Sequence, residues 1–321
     1  MIRPQAPGIR PQGRIIAAVV AAGLLLEIVG TAQTTAPIPI TGLSHRAALG
    51  RAYDAILSAD FDLVSAQLAS ACEDVPVWCD VVDAVALWWR IALDPDTRLH
   101  DALFLRTVER AIRAAEQWTK DEPARAEAWF ALGAASGARA QWRVERKQRL
   151  AAARDGKRIK TVLERALDLD PHLHDARFGI GMYRYYAAVA PAALRLFRWF
   201  LLLPGGNREE GLQQMIDSYE RGGVFRDEAA YQLHRIYLWY ENRPADALTL
   251  IRELQQRHSR NPLFALIDAT ILDAYFQDAE ASTRVLRTLI ARAESGDVNE
   301  PALALRRARA LLHAVQTRSP L

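Results

Sequence analysis

Beyond residue 44 the chain nowhere alternates apolar and polar residues in the period of two that a half-buried strand needs. Apolar side chains recur instead at intervals of three and four. In 244–258 they are Ala247, Leu248, Ile251 and Leu254, and in 226–241 they are Ala230, Leu233, Tyr237 and Tyr240. That spacing gathers them on one face of an α-helix, so the expected fold class is all-α. Start signals are frequent. Pro76, Pro123, Pro244, Pro262 and Pro301 suit a first helical turn, where a missing N–H costs nothing. Asn261 is an N-cap before Pro262, and Asn207 with Glu210 three residues later makes a capping box. Gly222-Gly223 and Gly296 read as stops. The pattern predicts helices over 45–58, 60–72, 76–93, 98–120, 124–143, 146–169, 174–187, 190–203, 207–221, 226–241, 244–258, 262–276, 279–294 and 300–316. Connections this short make sequence neighbours antiparallel. Successive hairpins then stack as an α-solenoid rather than close into a bundle.

The N-terminus reads differently. Arg3, Arg10 and Arg14 precede an apolar run from Ile15 to Leu26, and Gly30-Thr31-Ala32 follows. A basic start, a short apolar stretch and small residues before a cut describe a secretory signal, with cleavage expected after Ala32. The alternative is a signal-anchor that keeps residues 15–29 in the inner membrane; the run is short of the roughly 20 residues of a spanning helix, and Glu27 interrupts it. Residues 33–44 (QTTAPIPITGLS) read as a flexible linker, and 317–321 as a tail. The expected location is the periplasm or cell envelope. The formal charge of +3 over 321 residues does not point to nucleic acid.

Within the helical region the residues resemble the tetratricopeptide (TPR) family, whose helical hairpin carries W-x2-L-G in its first helix and a small residue, a bulky residue and a Pro later on. Trp129, Leu132 and Gly133 match the opening; Leu163, Ala166, Leu167 and Pro171 match the close; Gly181 stands where the next small residue belongs. A second unit runs from Tyr231 to about Ser259, although Arg235 and Ser259 replace its small residue and its Pro. The resemblance implies a TPR-like solenoid over 45–316. The hairpin around 124–170 is about fourteen residues overlong for this repeat, so it is expected to protrude. The block from Gly179 to Tyr186, with 204–212, is similar to a segment of uncharacterised secreted bacterial TPR proteins, which implies a fold and a compartment but no catalytic residue.

Candidate sites follow from residue types. Cys72 and Cys79 flank a Pro76 corner, close enough for a disulfide between adjacent helix ends in an oxidising compartment. The overlong hairpin carries Arg139, Arg143, Arg146, Lys147, Arg149, Arg154, Lys157, Arg158 and Lys160, a basic prong suited to an acidic protein surface or to peripheral contact with anionic membrane. Aromatics concentrate mid-chain: Tyr183, Tyr185 and Tyr186, then Phe197, Trp199 and Phe200, then Trp239 and Tyr240. They fill a core or anchor a peptide in a groove, with Arg184 placed to meet a carboxylate. The Gly205-Gly206-Asn207 turn lacks the Lys-Ser/Thr of a nucleotide loop, and the short His172, His174, Asp175 cluster reads as surface rather than metal site. No cofactor motif stands out. The leading expectation is a non-enzymatic scaffold that binds a protein or peptide. The alternatives are a membrane-tethered assembly factor and an enzyme on a helical scaffold of the peptidoglycan-lyase type, for which Glu294-Ser295-Gly296 is the sole echo.

Overall fold

Thirteen α-helices and no strand make up the described residues, 40–190 and 205–318, of the computed structural model. They are α1 (Arg46–Leu57), α2 (Val64–Asp74), α3 (Val77–Leu93), α4 (Asp101–Asp121), α5 (Ala126–Glu145), α6 (Arg149–Leu169), α7 (Asp175–Val189), α8 (Arg208–Arg221), α9 (Arg226–Trp239), α10 (Pro244–Arg257), α11 (Pro262–Phe276), α12 (Ala279–Glu294) and α13 (Pro301–Arg318). All belong to one unit, Ile38–Leu321. Consecutive helices pack on one another, as in a helical solenoid. The segment 1–32 expected as a signal, residues 191–203 of the helix expected at 190–203, with Phe197, Trp199 and Phe200, and the last three residues lie outside the described residues.

Local chemistry sets the boundaries. Asn207 Oδ1 accepts from Glu210 N at 3.1 Å, and Asn261 Oδ1 accepts from Leu263 N at 2.9 Å. Pro244, Pro262 and Pro301 open α10, α11 and α13. Pro123 falls three residues short of α5, because its neighbours 124–126 first pair with Ile40. Gly296 ends α12 at φ 75°, a conformation only glycine adopts without strain. Part of the expected linker is tied down: Ile40 exchanges main-chain hydrogen bonds with Ala124 and Ala126, and Gly42 N donates to Asp170 Oδ2 at 2.8 Å. Ile40 and Gly42 therefore belong to the folded unit rather than to a free linker.

The hairpin of α5 and α6, at 20 and 21 residues, is long beside the 14-residue α9 and α10. It does not protrude as a prong. Arg146 at its tip donates to the carbonyls of Pro95 and Thr97 at 2.7 and 2.9 Å and pairs with Asp101, which anchors the tip to the turn between α3 and α4.

Small residues set two close approaches. Leu163 of α6 lies between Gly133 of α5 and Gly179 of α7; a Cβ on either glycine falls within 2.5 Å of its side chain. Farther along, Gly181 of α7 crosses Gly211 of α8 so tightly that a Cβ on Gly181 meets the Gly211 carbonyl at 2.7 Å. Ala166 and Leu132 are buried beside them, whereas Trp129 is half-exposed and donates to the Pro123 carbonyl at 3.0 Å.

The N-terminal helices do more than start the array. Every second helix, α5, α7, α9 and α11, forms one row, here called the inner row, and α1 and α3 lie across it. Trp78 packs on Phe130, Tyr53 on Phe225, and Trp89 on both Tyr231 and Phe264. At the far end Asn299 Nδ2 donates to Ser58 O at 2.9 Å, and Arg307 of α13 donates to Leu93 O. One continuous hydrophobic core runs from Ala48 to Leu272 as a result.

Candidate functional site

The seam between α1–α3 and the inner row is stitched by acids in the first turns of the inner helices. Glu127 of α5 is buried; it accepts from Trp78 Nε1 at 2.9 Å and from Ser44 Oγ at 2.7 Å. Asp175 opens α7 and accepts the N–H groups of Gly223 and Phe225 at 2.9 and 2.8 Å, with the Arg46 guanidinium of α1 at 3.6 Å. Glu228 of α9 accepts from Tyr53 Oη at 2.8 Å, Trp89 Nε1 at 3.1 Å and Gln232 Nε2 at 3.1 Å. Acids suit helix N-termini, and here they also bind a second layer of chain. Burial pushes the Glu228 carboxyl upward and, with Glu228 as neighbour, holds the Tyr53 hydroxyl far above the usual phenol range. His234 on the same helix is buried, and desolvation with the Arg235 charge drives it down to about 3.

At the end of α1, Ser58 Oγ lies 3.3 Å from His258 Nδ1, and His258 Nε2 lies 2.7 Å from Asp227 Oδ2. The atoms are those of a Ser–His–Asp relay. An acyl-transfer site also needs N–H donors for an oxyanion. The N–H groups of Ser58, Ala59 and Asp60 all donate to carbonyls of α1, at 2.9 Å each. The trio links α1 to α9 and α10, with Arg257 bridging to Asp227 at 2.9 Å. The Glu294-Ser295-Gly296 segment likewise ends a helix: Glu294 pairs with Arg309 at 2.7 Å, and Ser295 Oγ donates to Arg292 O at 3.0 Å.

Beside the stitched seam no described residue covers the inner row. A cavity of about 980 Å³ opens there, walled by α3, α5, α6, α7 and α9. This is at the upper end of the roughly 300–1,000 Å³ of small-molecule sites. Its walls are apolar or small: Trp88, Phe130, Gly137, Ala153, Met182 and Trp239 among them. A Cβ built on Gly137 meets nothing within 4 Å, so the space comes directly up to that backbone. Glu228, Gln232 and Tyr53 form a polar patch at the end nearest the seam.

Of the aromatics expected in a groove, Tyr183, Tyr186, Trp239 and Tyr240 line this cavity. Tyr185 does not; it is fully buried, donates to Glu241, and meets Tyr186 and Tyr240 edge-on at 5.6 and 5.9 Å. Burial raises the Tyr186 hydroxyl to about 12. Arg184 is not turned to the cavity; it pairs with Glu164 at 3.3 Å and with Glu210. The basic prong is largely neutralised within the fold. Arg139 is buried and forks onto Asp155, with Glu109 at 2.7 Å; Arg143 shares Asp155 at 2.6 Å. Arg146 holds Asp101, Arg158 holds Glu116, and Lys160 holds Glu164. Lys147, Arg149, Arg154 and Lys157 remain without a carboxylate in ion-pair distance among the described residues.

Cys72 and Cys79 are joined in a disulfide, Cα to Cα 5.5 Å, which fastens α2 to α3. No group of three or more potential metal ligands occurs among the described residues: His174 turns to Asp217 at 3.0 Å while Asp175 faces the other way into the loop at 223–225. Nor is any described helix long and apolar enough to cross a membrane. Searches of protein-family models and of curated proteins return no match to this chain.

Sequence reasoning missed the cavity and the seam. The signal for the first was the run of small residues from Ala131 to Ala140, in which Gly133 is filled by Leu163 but Gly137 is not.

Proposed function

We propose that this chain is a non-enzymatic binding protein of the bacterial cell envelope, built on a TPR-like array, and that its recognition site is the aromatic-walled cavity rather than an open peptide trough. The observation that carries this is the cavity of about 980 Å³ left beside the self-filled part of the inner row. A concave, mostly apolar space of this size with a few polar groups at one end is the usual form of a ligand site. Export is supported by the basic and apolar N-terminal pattern and by the disulfide, a bond that persists in oxidising compartments. The self-occupied inner row argues against a long peptide lying along it, as TPR-like grooves otherwise invite.

The test is saturable binding of a neutral apolar dye such as Nile red to the folded full chain. One site per molecule, lost on Gly137→Leu with the melting temperature kept, supports the reading. Absence of saturable binding, or binding indifferent to Gly137→Leu, overturns it. N-terminal sequencing of the protein from the native envelope tests export: a start near Gln33 indicates cleavage, and Met1 indicates a tether.

A further inference from the structure

Three features of the cavity narrow the chemistry of what fills it. The first is its walls. They are almost entirely helical, so their main-chain N–H and C=O groups are already paired within the helices. An extended peptide inside would bury its own N–H and C=O groups unpaired, at about 1–3 kcal/mol each. A helical peptide, about 10–12 Å across, exhausts the volume within roughly two turns. A hydrocarbon chain asks nothing of such walls.

The second is length. Lining residues run from Phe130 to Glu145 along α5 and from Asp175 along α7 to Ala190. At 1.5 Å per residue each wall is about 22 Å long. One lipid tail spans half of a hydrocarbon core of about 30 Å, and so lies lengthwise within it.

The third is the opening. The most exposed lining residues mark it: Val144, Lys147, Arg149 and Leu150 around the α5–α6 turn, and Trp239 with Tyr240 at the end of α9. Val144 and Trp239 are each 56% exposed, unusual for such side chains. Arg235, also lining, sits with its guanidinium 4.8 Å from the Trp239 ring centroid. Arg235, Lys147 and Arg149 have no carboxylate in ion-pair distance among the described residues, and Glu145 is the single acid beside them on the lining near the opening. Arg139, Arg143 and Arg146 of the same hairpin are paired, while the unpaired Arg154 and Lys157 do not line the cavity.

We propose that the cavity binds an amphiphile with one hydrocarbon chain and an anionic head, carboxylate or phosphate, its tail along α5 and α7 and its head at the opening on Arg235, Lys147 and Arg149. This rests on the cavity being the recognition site.

The experiment is competition with Nile red on the full chain, using four ligands with twelve-carbon tails below their micelle concentrations: tridecanoate, dodecyl phosphate, dodecanol and dodecyltrimethylammonium. The expected result is one-to-one displacement by tridecanoate or dodecyl phosphate, with the ammonium compound weaker by about tenfold or more, the scale of one charge-assisted hydrogen bond. Whichever anion binds tighter identifies the head. Arg235→Gln should weaken the anions by about tenfold and leave dodecanol unchanged. Gly137→Leu, whose new side chain enters open space, should abolish binding of all four. Nile red bound but displaced by none of the four overturns the amphiphile while the cavity reading stands. Equal affinity for the ammonium and anionic ligands, or anion binding insensitive to Arg235→Gln, overturns the charged head.

Discussion

Where α1 and α3 cross the inner row, each buried carboxylate collects donors from another layer: Trp78 and Ser44 on Glu127, Tyr53 and Trp89 on Glu228. Two or three turns along the same two helices, from Gly137 on α5 and from Arg235 on α9, the walls face the cavity. The first turns are acidic and bonded to α1 and α3, with Glu228 at the inner end of the cavity; the later turns are small, aromatic or cationic and open. A repeat array therefore need not present one uniform surface. Residue choice within a single helix decides which part of the row is closed by α1 and α3 and which part faces the cavity.

The difference can be broken at its closed end first. Glu228→Ala strands the Tyr53 hydroxyl and the Trp89 indole N–H in the core, and each buried orphan costs about 1–3 kcal/mol. Chemical denaturation should show a loss of about 3–5 kcal/mol, the largest single effect expected here. A loss under about 1 kcal/mol means the seam is not held by its carboxylates. Next in size is removal of the clasp between α2 and α3. Cys72→Ser with Cys79→Ser should cost about 2–3 kcal/mol by the loop-closure relation, and thermal melting with and without reductant checks it on the unaltered chain.

Crowding the α7–α8 crossing with Gly181→Ala should cost about 1–3 kcal/mol, because the added methyl meets a carbonyl at 2.7 Å. A neutral outcome shows that the two helices slide apart cheaply.

The pH response separates the ends further. His234 has its folded pKa lowered to about 3 from an ordinary 6.5. The unfolded chain therefore binds a proton first on acidification. The stability linked to neutral His234 is present above pH 6.5 and is lost as pH falls toward 3, at a slope of up to about 1.4 kcal/mol per unit. His234→Leu should remove that slope in denaturation curves across this range. Smallest is the open end: Gly137→Ala adds a methyl to empty space and improves helix propensity, so it should stabilise by up to about 1 kcal/mol. Destabilisation there means the cavity wall needs its glycine for another reason.

Helix positions, caps and the Cys72–Cys79 link were legible because all depend on residues within a few positions of one another. Asn207 and Glu210 meet over three residues, and the two cysteines over seven. The basic hairpin misled because, besides its own Asp155 and Glu164, it draws on acids from elsewhere: Glu109, Asp101 and Glu116 all lie on α4, 30 to 45 residues away. The seam was hidden for a different reason. Glu127, Asp175 and Glu228 stand in first turns, where acids are ordinary, so nothing in their local pattern announces a second layer. The four cavity-lining aromatics were found by clustering alone, while Tyr185 and Arg184 were indistinguishable from them until partners were placed.

Tyr53 reaches Glu228 across 175 residues, and Leu93 reaches Arg307 across 214. Repeat arrays ordinarily grow by adding units to an existing end, each stable with its neighbour alone. This chain cannot finish that way. Tyr53 and Trp89 of its opening helices are synthesised early and meet Glu228, Tyr231 and Phe264 only once α9 and α11 exist. Contacts that distant slow assembly and leave apolar surface uncovered meanwhile. A truncation before α9 should thus yield not a shorter array but a chain with an orphaned front, in need of a holdase.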